Sequence, residues 1–95
     1  MLAIQLSARY DESDGHREKG TTYKINAIAQ SDDVEIATEC TRVLLTKNGY
    51  TDFQFIRYGA IVDRANVPRA LQKNDNWESD LEERGVIYIV YANKA

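Results

Sequence analysis

A single cysteine, a single proline and a single histidine stand among 95 residues. Cys40 has no second thiol to pair with, which excludes an internal disulfide, and neither it nor His16 offers metal-ligand spacing. No apolar run approaches the roughly 18 residues of a membrane-spanning helix. The opening Met1-Leu2-Ala3-Ile4-Gln5-Leu6 turns polar too early to read as a signal peptide. Positive charge is not in excess: 12 Lys and Arg against 15 Asp and Glu give −3 and a pI near 5.1. That balance argues against a nucleic-acid binder that works through phosphate contacts. A Gly-rich phosphate loop, a nucleophile elbow and a paired-cysteine metal motif are all missing, so the residues implicate no cofactor, no small-molecule substrate and no enzyme. What is present fits the globular range, with 43% hydrophobic and 28% charged residues in 10.8 kDa. The expectation is one domain over residues 1–95, soluble and cytoplasmic, at a size where oligomerisation often supplements a thin core.

Leu2, Ile4, Leu6, Ala8 and Tyr10 alternate with more polar neighbours, the period of a strand with one buried face. Thr21 to Ala29 alternates again. The polar residues 11–20 between them, with Gly15 and Gly20, read as an extended hairpin tip. Residues 32–48 read as a helix. Asp32 stands at the N-cap with Glu35 three residues on, Lys47 suits the last turn, and Asn48-Gly49 supplies the C-cap. Ile36, Ala37, Cys40, Val43 and Leu44 form its expected core stripe. On this reading Cys40 is a small buried hydrophobe rather than a reactive thiol. A strand follows from Phe53, with a bulge or bend expected at Gly59. The last strand, from Val86, is apolar on both sides: Val86, Tyr88, Val90 and Ala92 on one, Ile87, Ile89 and Tyr91 on the other. The order ββαββ implies an α+β fold of two layers, a mainly antiparallel four-stranded sheet with one long helix on one face. That leaves the second sheet face to a neighbouring subunit, or equally to a well-packed loop.

Residues 63–82 read as a long polar loop, of a length usually tied to function. Its charges separate. Arg57, Arg64, Arg69 and Lys73 face only Asp63 within 57–73, whereas 75–83 hold Asp75, Glu78, Asp80, Glu82 and Glu83 with no base. A solvated loop would account for this. So would a head-to-tail contact in which the basic patch of one subunit meets the acidic patch of the next. On the helix, Val34, Thr38, Thr41 and Leu45 lie opposite the expected core stripe, which makes Val34, Thr41 and Leu45 candidate contacts. Trp77 reads either as a lid on the core, the preferred reading, or as an exposed contact anchor. His16, in the hairpin tip, reads as a solvated side chain rather than a general base.

A helix ending at Asn48-Gly49, a strand, then Val67-Pro68-Arg69-Ala70-Leu71, Asn74-Asp75 and Leu81-Glu82-Glu83-Arg84 before an alternating last strand resembles bacteriophage neck or tail-terminator proteins, over about Thr21 to Asn93. The resemblance implies a virion structural protein, a homo-oligomer forming a ring, commonly hexameric, at the head-proximal end of a tail tube. Its partners would be tail-tube and head-connector proteins, with no catalytic residues. The hairpin tip would reach such a neighbour, and the 63–82 loop would bridge subunits. The rival expectation is a small acidic inhibitor or adaptor that binds a single host protein.

Overall fold

The computed structural model describes the backbone of residues 1–94, and the side chains of these except Arg64, Ala92, Asn93 and Lys94. The fold is α+β. Strands β1 (Leu2–Tyr10), β2 (Thr22–Ala29), β3 (Tyr50–Ala60) and β4 (Val86–Lys94) form one four-stranded antiparallel sheet in the order β3-β1-β2-β4. The β1–β2 hairpin runs in unbroken register from Leu2 against Ala29 to Arg9 against Thr22. Helix α1 (Val34–Lys47) follows β2, and its long axis crosses one sheet face. Under it lie Ile4, Leu6, Ile25, Ala27 and Val86, with Tyr10, Tyr23 and Tyr50 at the end near the hairpin tip.

The long polar loop expected at 63–82 is instead largely helical. A 3₁₀ turn at Arg64–Asn66 leads to α2 (Arg69–Gln72) and α3 (Trp77–Arg84). Few apolar residues suffice, because each one counts: Ile61, Val67, Leu71 and Leu81 close over Ile28 and Ile87 of the second sheet face, with Trp77 and Ile89 packed alongside. Trp77 is thus a lid, as its sequence context suggests. Covering this face makes three layers rather than two. The cover stops short of the other end of that face, where Gln5, Lys24, Ile56 and Tyr91 stay exposed, so only part of the second face is closed to a neighbouring subunit.

Several boundaries shift, each for a local reason. Asp33, not Asp32, caps α1, accepting from the amides of Glu35 at 2.9 Å and Ile36 at 3.2 Å. Asp32 is held 2.7 Å from the N-terminal ammonium. β3 begins at Tyr50 rather than Phe53, and Gly59 pairs regularly with Ala3, so no bulge lies there. The irregularities of β3 fall opposite the Gln5/Leu6 step and opposite the stretch between Ser7 and Arg9. In the second of these Asp52 takes φ 52°, a left-handed conformation that suits a short polar side chain.

The face of α1 is also turned. Ala37, Thr41 and Leu45 are fully buried, while Ile36, Val43 and Cys40 face out. A threonine reads as polar, yet the Thr41 hydroxyl donates to the Ala37 carbonyl at 2.7 Å and enters the core with its polarity satisfied. Thr38 shares a hydrogen bond with the Tyr58 hydroxyl at 2.7 Å. Thr41 and Leu45 are therefore core residues and not contact residues. Val34, in the first turn, is exposed.

Candidate interaction site at the sheet edge

The two edges of the sheet, β3 and β4, differ in kind. Edge strands offer a row of unpaired N–H and C=O groups, and proteins usually blunt them with charge, proline or bulges. β3 is blunted in this way, by its two register shifts and by Asp52 and Arg57. β4 carries neither charge nor proline from Val86 to Ala92, and its one register shift against β2 falls beyond Val90, so Val86 to Val90 pair regularly. Only one side of β4 is paired, with β2, leaving the outer side of its backbone free to accept another strand.

A groove of about 460 Å³ follows this free edge. Leu44 and Asn48 of α1 form one wall, and Leu71, Trp77 and Arg84 from the second layer form the other. Val86 to Val90 make the floor, presenting both their backbone and alternate apolar side chains. A second cleft of about 480 Å³ continues past Arg17 to Tyr50 and the hairpin tip, sharing Asn48, Tyr88 and Val90 with the first. Together they form an elongated channel suited to an extended segment rather than to a compact ligand.

The hairpin tip at 11–20 is built onto the start of β3. The Asp11 amide donates to the Gly49 carbonyl at 2.8 Å, and the Thr51 hydroxyl donates to the Asp11 carboxylate at 2.9 Å. Arg9 forks onto Asp11 and also reaches Asp52 at 2.5 Å. These bonds hold the Asp11 carboxyl below the usual carboxylate range, the Arg9 hydrogen bond being the largest cause. The Arg17 guanidinium lies 5.4 Å from the centre of the Tyr23 ring. Burial raises the pKa of the Tyr50 and Tyr88 hydroxyls, so both stay protonated near neutrality. The channel therefore offers charge and hydrogen bonding as well as apolar contact, with Arg17, Lys47, Arg84, Glu12 and Asp80 in its lining.

Of the residues singled out in the sequence, Arg69 and Lys73 are exposed on and just after α2, and Glu82 and Glu83 are exposed on α3. Among the described residues no ion pair within the chain joins these bases to these acids. Glu78 is half-buried, and the side chain of Arg64 lies outside the described residues. His16 is exposed, its amide donating to Asp14 at 3.0 Å. The basic and acidic groups thus share one layer beside the groove. Sequence reasoning missed Leu44, Trp77, Arg84 and Arg17 as neighbours of one edge. The signal available was the charge-free run of β4 at the end of the sheet.

No protein-family model matches the sequence, no curated protein matches it, and no solved structure matches it. Among the described residues no helix is long and apolar enough to cross a membrane.

Proposed function

We propose that the chain is a structural assembly protein of the phage neck or tail-terminator kind, whose subunits join through the β4 edge into a ring. The observation that carries this is the groove along β4, where the charge-free edge from Val86 to Val90 lies between walls that mix apolar Leu44, Leu71 and Trp77 with polar Asn48 and Arg84. A free edge of this kind invites a further strand, and a contact between unlike surfaces closes into a ring when the rotation permits. The mechanism is geometric: each subunit supplies an edge and the next supplies the segment that covers it. The ring, commonly hexameric in the proteins the sequence resembles, would sit between tail tube and head connector in the virion.

The acidic surface of α3 beside the groove favours a second reading, an adaptor or inhibitor that takes an extended segment of one host protein. Sedimentation velocity separates the two. A ring former gives a discrete multi-subunit species, alone or on addition of tail-tube protein, and Tyr91→Lys should abolish it. Tyr91 is exposed on β4 and its replacement removes one exposed hydrogen bond, from the Asn26 amide at 2.6 Å, so the new lysine blunts the edge while the core is untouched. A monomer at all concentrations, unchanged by tube or connector proteins, would remove the ring and leave the adaptor.

A further inference from the structure

The outer stripe of α1 is apolar where a surface helix is normally charged. Val43 is 45% and Ile36 54% exposed, and Cys40 between them is exposed as well. At about 100° per residue these three and Lys47 fall within a sector about 60° wide, running the length of the helix. None of them is needed for the core, which takes the Ala37, Thr41 and Leu45 face instead.

The charges along the helix are polarised. Asp33 and Glu35 mark its start, and Lys47 its last turn, with Arg84 of α3 beside Leu44 and Lys47 at that end. A surface that is negative at one end and positive at the other, with Ile36, Cys40 and Val43 between and the Glu39–Arg42 ion pair along one flank, is complementary to itself turned end over end. We propose that α1 packs antiparallel against α1 of a second copy, about a two-fold axis passing near Cys40.

In that arrangement Ile36 of each copy meets the Val43–Leu44 end of the other. Lys47 lies against the partner helix's acidic first turn, and the two Cys40 side chains face each other across the axis. The helix dipoles also run opposed, so each negative end meets a positive one. The isologous pairing needs only one patch, which is the condition for a two-fold contact. A 14-residue helix is about 21 Å long, so one helix pair covers less than the roughly 1,200 Å² of a standard interface. The dimer is accordingly weak, of micromolar affinity or poorer. It stands apart from the ring proposal, since it uses side chains of α1 and not the strand edge.

The test uses the native chain, oxidised with copper phenanthroline over a range of concentrations and resolved on non-reducing gels. Cys40 is the only thiol, so every cross-linked dimer reports its position. The expected result is rapid Cys40–Cys40 cross-linking that Ile36→Glu with Val43→Glu slows by roughly tenfold or more. Both positions are exposed, and circular dichroism checks that the fold is kept. Lys47→Glu should slow cross-linking several-fold, more at low salt than at high. Cross-linking at the same rate in wild type and the double variant would mean random collision and overturn the proposal. Sedimentation supplies a second reading without oxidant: a wild type that stays monomeric at about millimolar concentration also overturns it, leaving the stripe to a foreign partner.

Discussion

The Tyr10 hydroxyl donates a hydrogen bond to the Asp14 carboxylate, tying the end of β1 to the hairpin tip that follows it. Tyr10 is buried, and that bond together with burial pushes its pKa up to about 12. The same bond, with a second from the His16 amide, holds Asp14 below the usual carboxylate range.

Two pH windows follow. A carboxyl with a lowered folded-state pKa stabilises the fold above its unfolded value of about 4, and that contribution disappears as pH falls through the lower folded value. A phenol with a raised pKa contributes below about 10, and loses the contribution as pH climbs towards 12. Phenolate absorbance should show a late-titrating group of tyrosines, Tyr10 together with Tyr50 and Tyr88. Asp14→Asn should bring the Tyr10 midpoint down and flatten the acid limb of the stability curve. A late absorbance change of the same size and midpoint in wild type and Asp14→Asn would assign the Tyr10 shift to burial alone, as for Tyr50 and Tyr88.

The two faces of α1 make opposite demands. Leu45→Ala removes a fully buried side chain between helix and sheet, and should cost about 2–5 kcal/mol. In a domain this small that is a large part of the total. Val43→Asp, on the exposed stripe, should change unfolding free energy by no more than about 0.5 kcal/mol. Urea titration of the two variants decides the matter; the reverse order would restore Val43 to the core.

At Gly49 two constraints coincide. Its φ is 92°, and an added Cβ would come within 2.2 Å of the Glu12 side chain. Gly49→Ala should therefore destabilise the fold by about 1–2 kcal/mol from backbone conformation alone, with a further loss as Glu12 is displaced. Truncating Glu12 to Ala in the same chain should recover the second part and not the first. Complete recovery in the thermal melt of the double variant would show that the clash, and not the backbone, dominates.

What the sequence made legible follows from which interactions repeat. The alternation in Leu2–Tyr10 and in Thr22–Ala29 repeats over several residues, and the hairpin, the long helix and the last strand could all be read from such periods. α2 and α3 could not, because their hold on the sheet comes from single residues, Leu71 and Leu81, set among charges. The rotation of α1 was hidden for a different reason. Thr41 is polar in composition but satisfied in place, and Ile36 and Val43 are apolar yet unburied. A hydropathy stripe shows where burial is affordable, and here part of it faces away from the core. The edge groove was hidden because the fold brings Leu44 of α1 beside Trp77 and Arg84 of α3, two segments far apart in the sequence.

The charged groups of α2 and α3 supply the last prediction. Arg69 and Lys73 are exposed beside the acidic α3, and within the chain no ion pair joins them to Glu82 or Glu83 among the described residues. If subunits meet along the β4 groove, these groups sit on or just after α2 and on α3, the elements that form one of its walls. Exposed pairs contribute only about 0–1 kcal/mol each, so a single reversal should barely alter assembly. Repeated at every interface of a ring, the effect accumulates, and exclusion of water between subunits strengthens each pair. Arg69→Glu with Lys73→Glu should weaken self-association, and more at low salt, where the new repulsion is unscreened. Adding Glu82→Lys and Glu83→Lys to the same chain rebuilds the complementarity with opposite sign and should restore much of the assembly. The intact fold of each variant can be checked separately, since all four side chains are exposed. Sedimentation profiles that move with neither change, under conditions where the wild type assembles, would place these charges in solvent and leave the β4 edge, with Leu44, Leu71 and Trp77 beside it, to hold the subunits.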